Sequence, residues 1–330
     1  MEQPVVGFTT RPTTPGPEPP VGRDIDVAIP RHAFPVSRGA RERRLERSDR
    51  YDRRAVVTGH ETLTPTGTVR ISFRVVDEQS FPSVPGYFIG IRADVPGAGL
   101  RRTPYCLTTP SEEERGFRLL VRLVPEGPLS RYLAALDVGD EINFRGPSGR
   151  CMIPKEDDAE LILLATGVGL SPLVFLVREL RAKSYPHPVH LFWGLRLVED
   201  ICLLDELDEL VRTYPGFSYD ISLSQPPPGW TGLRGRITES VPPLLGGLAG
   251  KRYYLVGNGA MIEEMATALS DLGVDKTFIY EEAFFNGRHK ADPAAVAAIR
   301  DRFVACDLFS PHKHQEAGLF HLDRPLQRRR

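Results

Sequence analysis

LILLATGVGLSPLVFLVREL, residues 161 to 180, decides the fold. Leu161 to Leu164 form an apolar run of buried-strand character. Gly167 and Gly169 free the backbone for a tight turn, and Ser171 and Pro172 suit the N-cap and first position of a helix. Leu173, Leu176, Val177 and Leu180 then recur at helical spacing. One face of that helix packs on a sheet while its N-terminus presents unpaired N–H groups to an anion such as a pyrophosphate. Strand, glycine turn and helix also recur in α/β proteins that hold no nucleotide. Pro172 occupies the place of the third glycine of G-x-G-x-x-G, and no acidic residue follows near Val189. The run therefore departs from the common dinucleotide fingerprint and points to a different nucleotide fold.

Downstream of Ala159, strand-like and helix-like stretches alternate: LILLAT, PLVFLVRELRAK, HLFWGL, DELDELVRTY, FSYDISL, YYLVGN and AMIEEMATALSDLG. That order predicts a parallel sheet wrapped by helices. Upstream, from Ala55 to Pro154, short β-branched and apolar runs (AVVTGH, TVRISFRVV, GYFIGIRA, FRLLVRLV, DEINFRG) separated by turn residues predict an antiparallel barrel. The expected division is a tail over 1–50, a barrel over 51–155, a nucleotide-binding α/β domain over 156–285 and an extension over 286–330. The tail is read as disordered or extended because its first twenty residues are crowded with proline. The extension holds one expected helix, capped by Asp292, started by Pro293 and carrying Val296, Ile299 and Phe303 on one face.

With 42 Lys and Arg against 43 Asp and Glu, the formal charge of −1 argues against a nucleic-acid-binding body. Residues 37 to 54 hold eight arginines among four acids, which suits either a solvated helix or a mildly basic dock. Cys106, Cys151, Cys202 and Cys306 are scattered, without the close spacing of an iron–sulfur or zinc site, so no metal is expected and a reducing cytoplasm is. The uncharged run 161–177 is short for a membrane span of roughly 20 residues and is broken by glycines and a proline.

Six ordered motifs carry a family resemblance over residues 51 to 285: PYCLTTP at 104–110, EGPLSRYL at 126–133, GDEINFRGPSG at 139–149, ATGVGLSP at 165–172, FWGLRLVED at 192–200 and LVGNGAMI at 255–262. In that order they resemble the ferredoxin-NADP reductase superfamily, in which a flavin-binding barrel precedes a pyridine-nucleotide domain, here without a fused iron–sulfur domain. The resemblance implies FAD, a nicotinamide nucleotide and a hydride passed between them. PYCLTTP is similar to the family's R-x-Y-S. It implies that Tyr105 stacks on the flavin ring, an apolar and π contact, and that Cys106, Leu107 and Arg102 lie beside it. Cys106 stands for the serine and is the weaker hydrogen-bonding group, and Arg102 comes one position early.

By the same resemblance Gly127, Leu129 and Ser130 hold the flavin phosphate, while Thr166, Gly167, Gly169 and Pro172 border the nucleotide. Gly194 and Arg196 face the nucleotide, and Asp200 caps the next helix. Ser224 lies near the adenosine ribose and Gln225 stands where NADPH-users commonly carry arginine. An amide cannot neutralise a 2′-phosphate as a guanidinium does, which tilts the choice toward NADH, with Arg234 or Arg236 as substitutes for NADPH. Gly257 and Met261 match C-G-x-x-x-M, with Val256 replacing the cysteine, and Asn258 with Gly259 lets the backbone approach the ligand. In IYEEAFF, residues 279 to 285, Glu281 and Phe284 are the expected acid and aromatic over the flavin; Phe309 and His312 of the extension suit either a cover for the flavin or, as the favoured reading, ordinary packing and exposure.

Tyr105, Cys106 and Glu281 are thus the expected catalytic residues of a flavoprotein reductase. It would serve a separate acceptor such as ferredoxin, flavodoxin or an oxygenase component, with no nucleic acid and no membrane span. The departures at Cys106, Arg102 and Val256 equally suit a non-catalytic flavin- or nucleotide-binding sensor, and the tails suit an electron-transfer subunit active only within a complex.

Overall fold

Hydrophobic alternation puts one face of each upstream strand inside a closed barrel. β1 (Arg53–Thr62), β2 (Thr68–Val75), β3 (Tyr87–Val95), β4 (Gly99–Pro110), β5 (Gly116–Arg122) and β6 (Glu141–Gly149) pair antiparallel in the order β1-β2-β5-β4-β3-β6. The computed structural model describes residues 53–110, 115–124, 127–155 and 159–284. The proline-rich tail, the arginine stretch before Arg53, the helix expected from Asp292 and the covers Phe309 and His312 lie outside them. β4 is the strand that patterning does not mark: arginines and Pro104 interrupt its alternation, yet Arg102 pairs with Arg92 and Cys106 with Phe88 across the ladder to β3.

Aromatic rings fill the barrel. Phe117 stacks on Phe73 and on Phe81, each at 5.0 Å between centroids, and Phe144 meets Phe117 edge-on at 5.8 Å. Phe73, Phe117 and Phe144 are fully buried, and each contributes about 1.5–3 kcal/mol of transfer free energy. Arg53 closes the end of this core. Its guanidinium donates to both carboxylate oxygens of Asp77, at 3.1 and 3.0 Å, and to the carbonyls of Ser80, Gly146 and Gln79 at 3.2, 2.8 and 3.1 Å. Its five donors are all used, which is why a buried cation is tolerated there.

The second domain is a parallel sheet of β7 (Glu160–Thr166), β8 (Val189–Leu195), β9 (Phe217–Leu223), β10 (Leu233–Arg234), β11 (Lys251–Asn258) and β12 (Ile279–Phe284), in the order β10-β9-β8-β7-β11-β12. After the short barrel helix α1 (Pro128–Ala134) come α2 (Leu170–Ala182), α3 (Leu204–Thr213), α4 (Ile237–Ser240) and α5 (Gly259–Asp271). Strand order reverses between β7 and β11, and ligands in open α/β sheets bind outside the carboxyl ends at such a point.

The start of α2 differs from expectation. Gly167–Gly169 form a 3₁₀ turn that runs straight into Leu170, so Gly169 is the N-cap, and Ser171 and Pro172 are the second and third helical residues. Pro172 is accommodated because first-turn N–H groups have no helical acceptor anyway. α2 also buries more than one face: Val174 and Phe175 are as buried as Leu173 and Leu176, and the barrel strand β4 runs alongside the helix. The helix is wedged between the two domains.

Candidate functional site

At the switch point the ends of β7 and β11 interlock through glycine. Gly257 has φ +138°, and a Cβ on it would lie 2.2 Å from Thr166 Oγ1. A Cβ on Gly169 would lie 2.4 Å from the Val256 carbonyl. Neither backbone approach tolerates a side chain, which is the physical content of these two motif positions. Thr166 Oγ1 accepts from Asn258 N–H at 2.9 Å, Asn258 Oδ1 caps α5 by accepting from Ala260 N–H at 2.9 Å, and Trp193 Nε1 donates to the Gly167 carbonyl at 2.9 Å. Gly167, at φ +54°, has open space where a Cβ would stand. Ser171, only 2 % exposed, has a hydroxyl with no hydrogen-bond partner among the described residues.

An open glycine turn, a helix N-terminus and an orphaned hydroxyl fit a phosphate of a dinucleotide. Thr166, Gly167, Gly169, Gly257 and Asn258 are thus brought together. Met261 is not at the opening: it is buried in the core beneath the sheet with Ile262 and Met265. Pro172 is likewise buried within α2.

Across the cleft stands β4. Tyr105 is half-buried against the barrel core, and Leu107 is fully buried in that core, leaving only its backbone for a ligand. Leu129 is also a core residue. Arg102 sits further along β4, paired with Arg92. Ser130 holds the Gly127 turn: its hydroxyl lies 3.0 Å from the Gly127 carbonyl and accepts from Val124 N–H at 3.1 Å.

The acid that meets β4 is Glu282, not Glu281. Cys106 Sγ donates to Glu282 Oε1 at 2.6 Å, and Tyr280 Oη donates to Glu282 Oε2 at 3.2 Å. Strand side chains alternate, so Tyr280, Glu282 and Phe284 share one face of β12 while Glu281 takes the other, in register with Leu255 of β11. The acid that IYEEAFF offers to the flavin is Glu281, whereas the acid that strand parity brings to Cys106 is its neighbour, Glu282. Glu282 is 4 % exposed, and burial lifts its carboxyl above the usual range, against the opposing pull of the thiol, the phenol and Arg150. Burial also pushes the Cys106 thiol well up, reinforced by Glu282, so the sulfur stays protonated. The Arg150 guanidinium lies 4.1 Å from the centre of the Tyr280 ring, and Tyr254 stacks on that ring at 5.3 Å.

At the far side of the sheet Arg196 Nε donates to Gln225 Oε1 at 3.3 Å, and the Ser224 and Gln225 amides donate to the Leu195 and Arg196 carbonyls at 3.0 and 2.9 Å. Gly194 is a packing glycine, since a Cβ there would come within 2.8 Å of Ile237. Asp200 does not cap α3, whose N-cap is Leu203. It closes its own turn by accepting from Leu197 N–H at 3.2 Å and pairs with Arg122 of the barrel at 2.9 Å. Among the described residues no group of His, Cys, Asp and Glu is arranged to hold a metal ion, and no helix is long and apolar enough to cross a membrane.

The model of the oxidoreductase FAD-binding domain matches residues 55–153, and that of the oxidoreductase NAD-binding domain matches residues 163–267. The chain is 30% identical over 222 residues to ferredoxin–NADP reductase B of Sorangium cellulosum, covering 65% of this chain and 90% of that protein. It is 29% identical over 195 residues to the ferredoxin–NAD(P)(+) reductase component of the naphthalene 1,2-dioxygenase/salicylate 5-hydroxylase systems of a Ralstonia species, covering 57% of this chain and 59% of that protein. In structure it is similar to the cytochrome P450 reductase GcoB of Amycolatopsis, with a TM-score of 0.62, 26% identity and coverage of 70% of this chain and 69% of that one.

Proposed function

The chain belongs to the ferredoxin-NADP reductase superfamily, and from that premise we propose that it takes a hydride from NAD(P)H onto FAD and passes electrons to a separate acceptor protein. Bound FAD supplies the conversion of two-electron to one-electron chemistry. The chain's own residues supply place and charge. Tyr105 offers its ring to the flavin, and the Gly167–Gly169 turn, the first turn of α2 and Ser171 hold the nucleotide phosphates. Cys106, oriented by Glu282, marks where the reacting rings meet. Gly257 and Asn258 keep the backbone low so that the nicotinamide can reach that place. Orientation of this kind is worth several kcal/mol in a bimolecular transfer, on the order of 7 or more in well-aligned systems.

The observation that carries the reading is the Cys106–Glu282 contact. It brings the barrel strand expected to face the flavin to the strand beside the nucleotide switch point. A ferredoxin, flavodoxin or oxygenase component is the acceptor class we favour, because the chain shows no cysteine spacing for a cluster of its own. Cytoplasmic location is part of the same proposal and rests on the scattered cysteines. Anaerobic addition of NADH, then NADPH, to the FAD-loaded protein tests it: bleaching of the visible flavin band by either nucleotide is expected. A yellow protein that neither bleaches would favour the sensing alternative, for which Val256 in place of the cysteine is the supporting feature.

A further inference from the structure

Away from the cleft, charged groups tie the barrel to the nucleotide domain. Arg70 of β2 donates to Glu61 of β1 at 2.6 Å and, through its other terminal nitrogen, to Glu206 of α3. The second oxygen of Glu206 accepts from Arg178 of α2 at 3.0 Å. One carboxylate therefore joins a barrel strand to the helix whose N-terminus carries the Gly167–Gly169 turn. Beside it, Arg122 of β5 reaches Asp200 at 2.9 Å and Thr66 Oγ1 at 2.7 Å, while Thr66 lies 3.4 Å from the Glu199 carbonyl. Cys202 is buried between the two sets. Its thiol is pushed up to about 12, by burial first and then by Glu206, with Arg70 and Arg122 opposing, so it fills the junction as a neutral group.

Domains joined by one linker move relative to each other unless their interface prevents it. A misplacement of about 1 Å between reacting atoms can slow a transfer such as that of hydride by on the order of 10²-fold. Side chains of Glu206 and Asp200 are 22 % and 11 % exposed, which shields these pairs from salt better than surface pairs. Resting on the reductase reading above, we infer that Glu206 is a positioning residue: by bridging Arg70 to Arg178 it sets the angle between barrel and α2, and so the stacking of nicotinamide on flavin. Its contacts are outside the cleft, so it acts on the alignment of the rings and leaves nucleotide affinity alone.

The test is anaerobic stopped-flow reduction of the FAD-loaded protein by its preferred nucleotide, in wild type, Glu206→Gln, Arg70→Gln and the double variant. The limiting reduction rate, the nucleotide dissociation constant and the long-wavelength charge-transfer absorbance of the stacked rings are followed together. Each single variant is expected to lose about five- to tenfold in limiting rate together with charge-transfer amplitude, at unchanged dissociation constant. The double variant is expected to lose no more than either single one, because the two residues act through one bridge. An unchanged limiting rate overturns the inference. So does a slower rate with full charge-transfer amplitude, or losses that multiply in the double variant. Arg70→Gln, changed on the barrel side alone, guards against a Glu206 variant that fails to fold. If neither nucleotide bleaches the wild-type flavin, the reductase reading falls and this inference with it. Wild-type bleaching with unaltered variants sinks the inference alone.

Discussion

The two buried charged sites among the described residues are built in opposite ways. Arg53, at the closed end of the barrel, spends every donor on Asp77 and three carbonyls and lies against Phe81 and Phe144. Glu282, at the cleft, depends on a thiol from the other domain and a phenol from its own strand, and Ser171, in the first turn of α2, is left without a partner among the described residues. The first site is saturated, so it contributes to stability and has nothing left to offer a ligand. The second leaves the Ser171 hydroxyl unspent in the helix turn that follows the open Gly167, the condition under which a ligand gains more than water loses.

Removing the saturated cation should give the largest effect on stability. Arg53→Met takes the guanidinium from Asp77, whose carboxylate among the described residues keeps only the Gln79 N–H at 2.9 Å and Arg115 at 3.8 Å, and from the Ser80 and Gly146 carbonyls, while the Gln79 carbonyl keeps Arg115 at 2.7 Å. It should lower unfolding free energy by about 3–5 kcal/mol, read by chemical denaturation, and a loss below about 1 kcal/mol would erase the contrast. At the cleft the expected loss is of rate. Gly257→Ala drives a Cβ into Thr166 at a backbone angle that L residues rarely adopt. It should cut flavin reduction on the order of 10²-fold by displacing the switch-point loop, as steady-state kinetics with a saturating acceptor would show.

A pH series sharpens the comparison further. Burial raises the Glu282 carboxyl above its unfolded value, so the folded state binds this proton more tightly than the unfolded chain does. Its contribution to stability is therefore full below the ordinary carboxylate range and is lost as pH rises through the elevated value. Unfolding midpoints of Glu282→Gln should lack that decline, and the difference from wild type should vanish at the acidic end. Smallest of all, Arg54→Ala removes an exposed pair with Glu141, 3.1 Å apart with both side chains at least half exposed, and should change stability by about 0–1 kcal/mol. A larger change there would mean that surface pairs matter more than the comparison allows.

Much of this was legible in the sequence, and the exceptions have physical causes. Parallel strands buried on both faces read as unbroken apolar runs, so Leu161 to Leu164 declared β7 and hence the sheet. β4 was illegible because its pairing partners, not its own alternation, make it a strand. Ser171 looked like a cap because capping residues are chosen by type, whereas the 3₁₀ turn before α2 had already supplied the cap at Gly169. Glu281 and Glu282 differ by one residue, and in a strand one residue is the other face. Asp200 and Glu206 carry nothing in their local sequence to show that their partners lie on barrel strands.

The most direct test of the contrast is a paired measurement on FAD-loaded Glu282→Gln: the anaerobic rate of flavin reduction by NAD(P)H beside the denaturation midpoint at neutral pH. A rate lower by about tenfold or more with the midpoint held or raised is expected if this carboxylate orients Cys106 at the reacting rings. A wild-type rate in a normally folded variant would contradict it and make the buried acid a structural pair like Arg53 and Asp77.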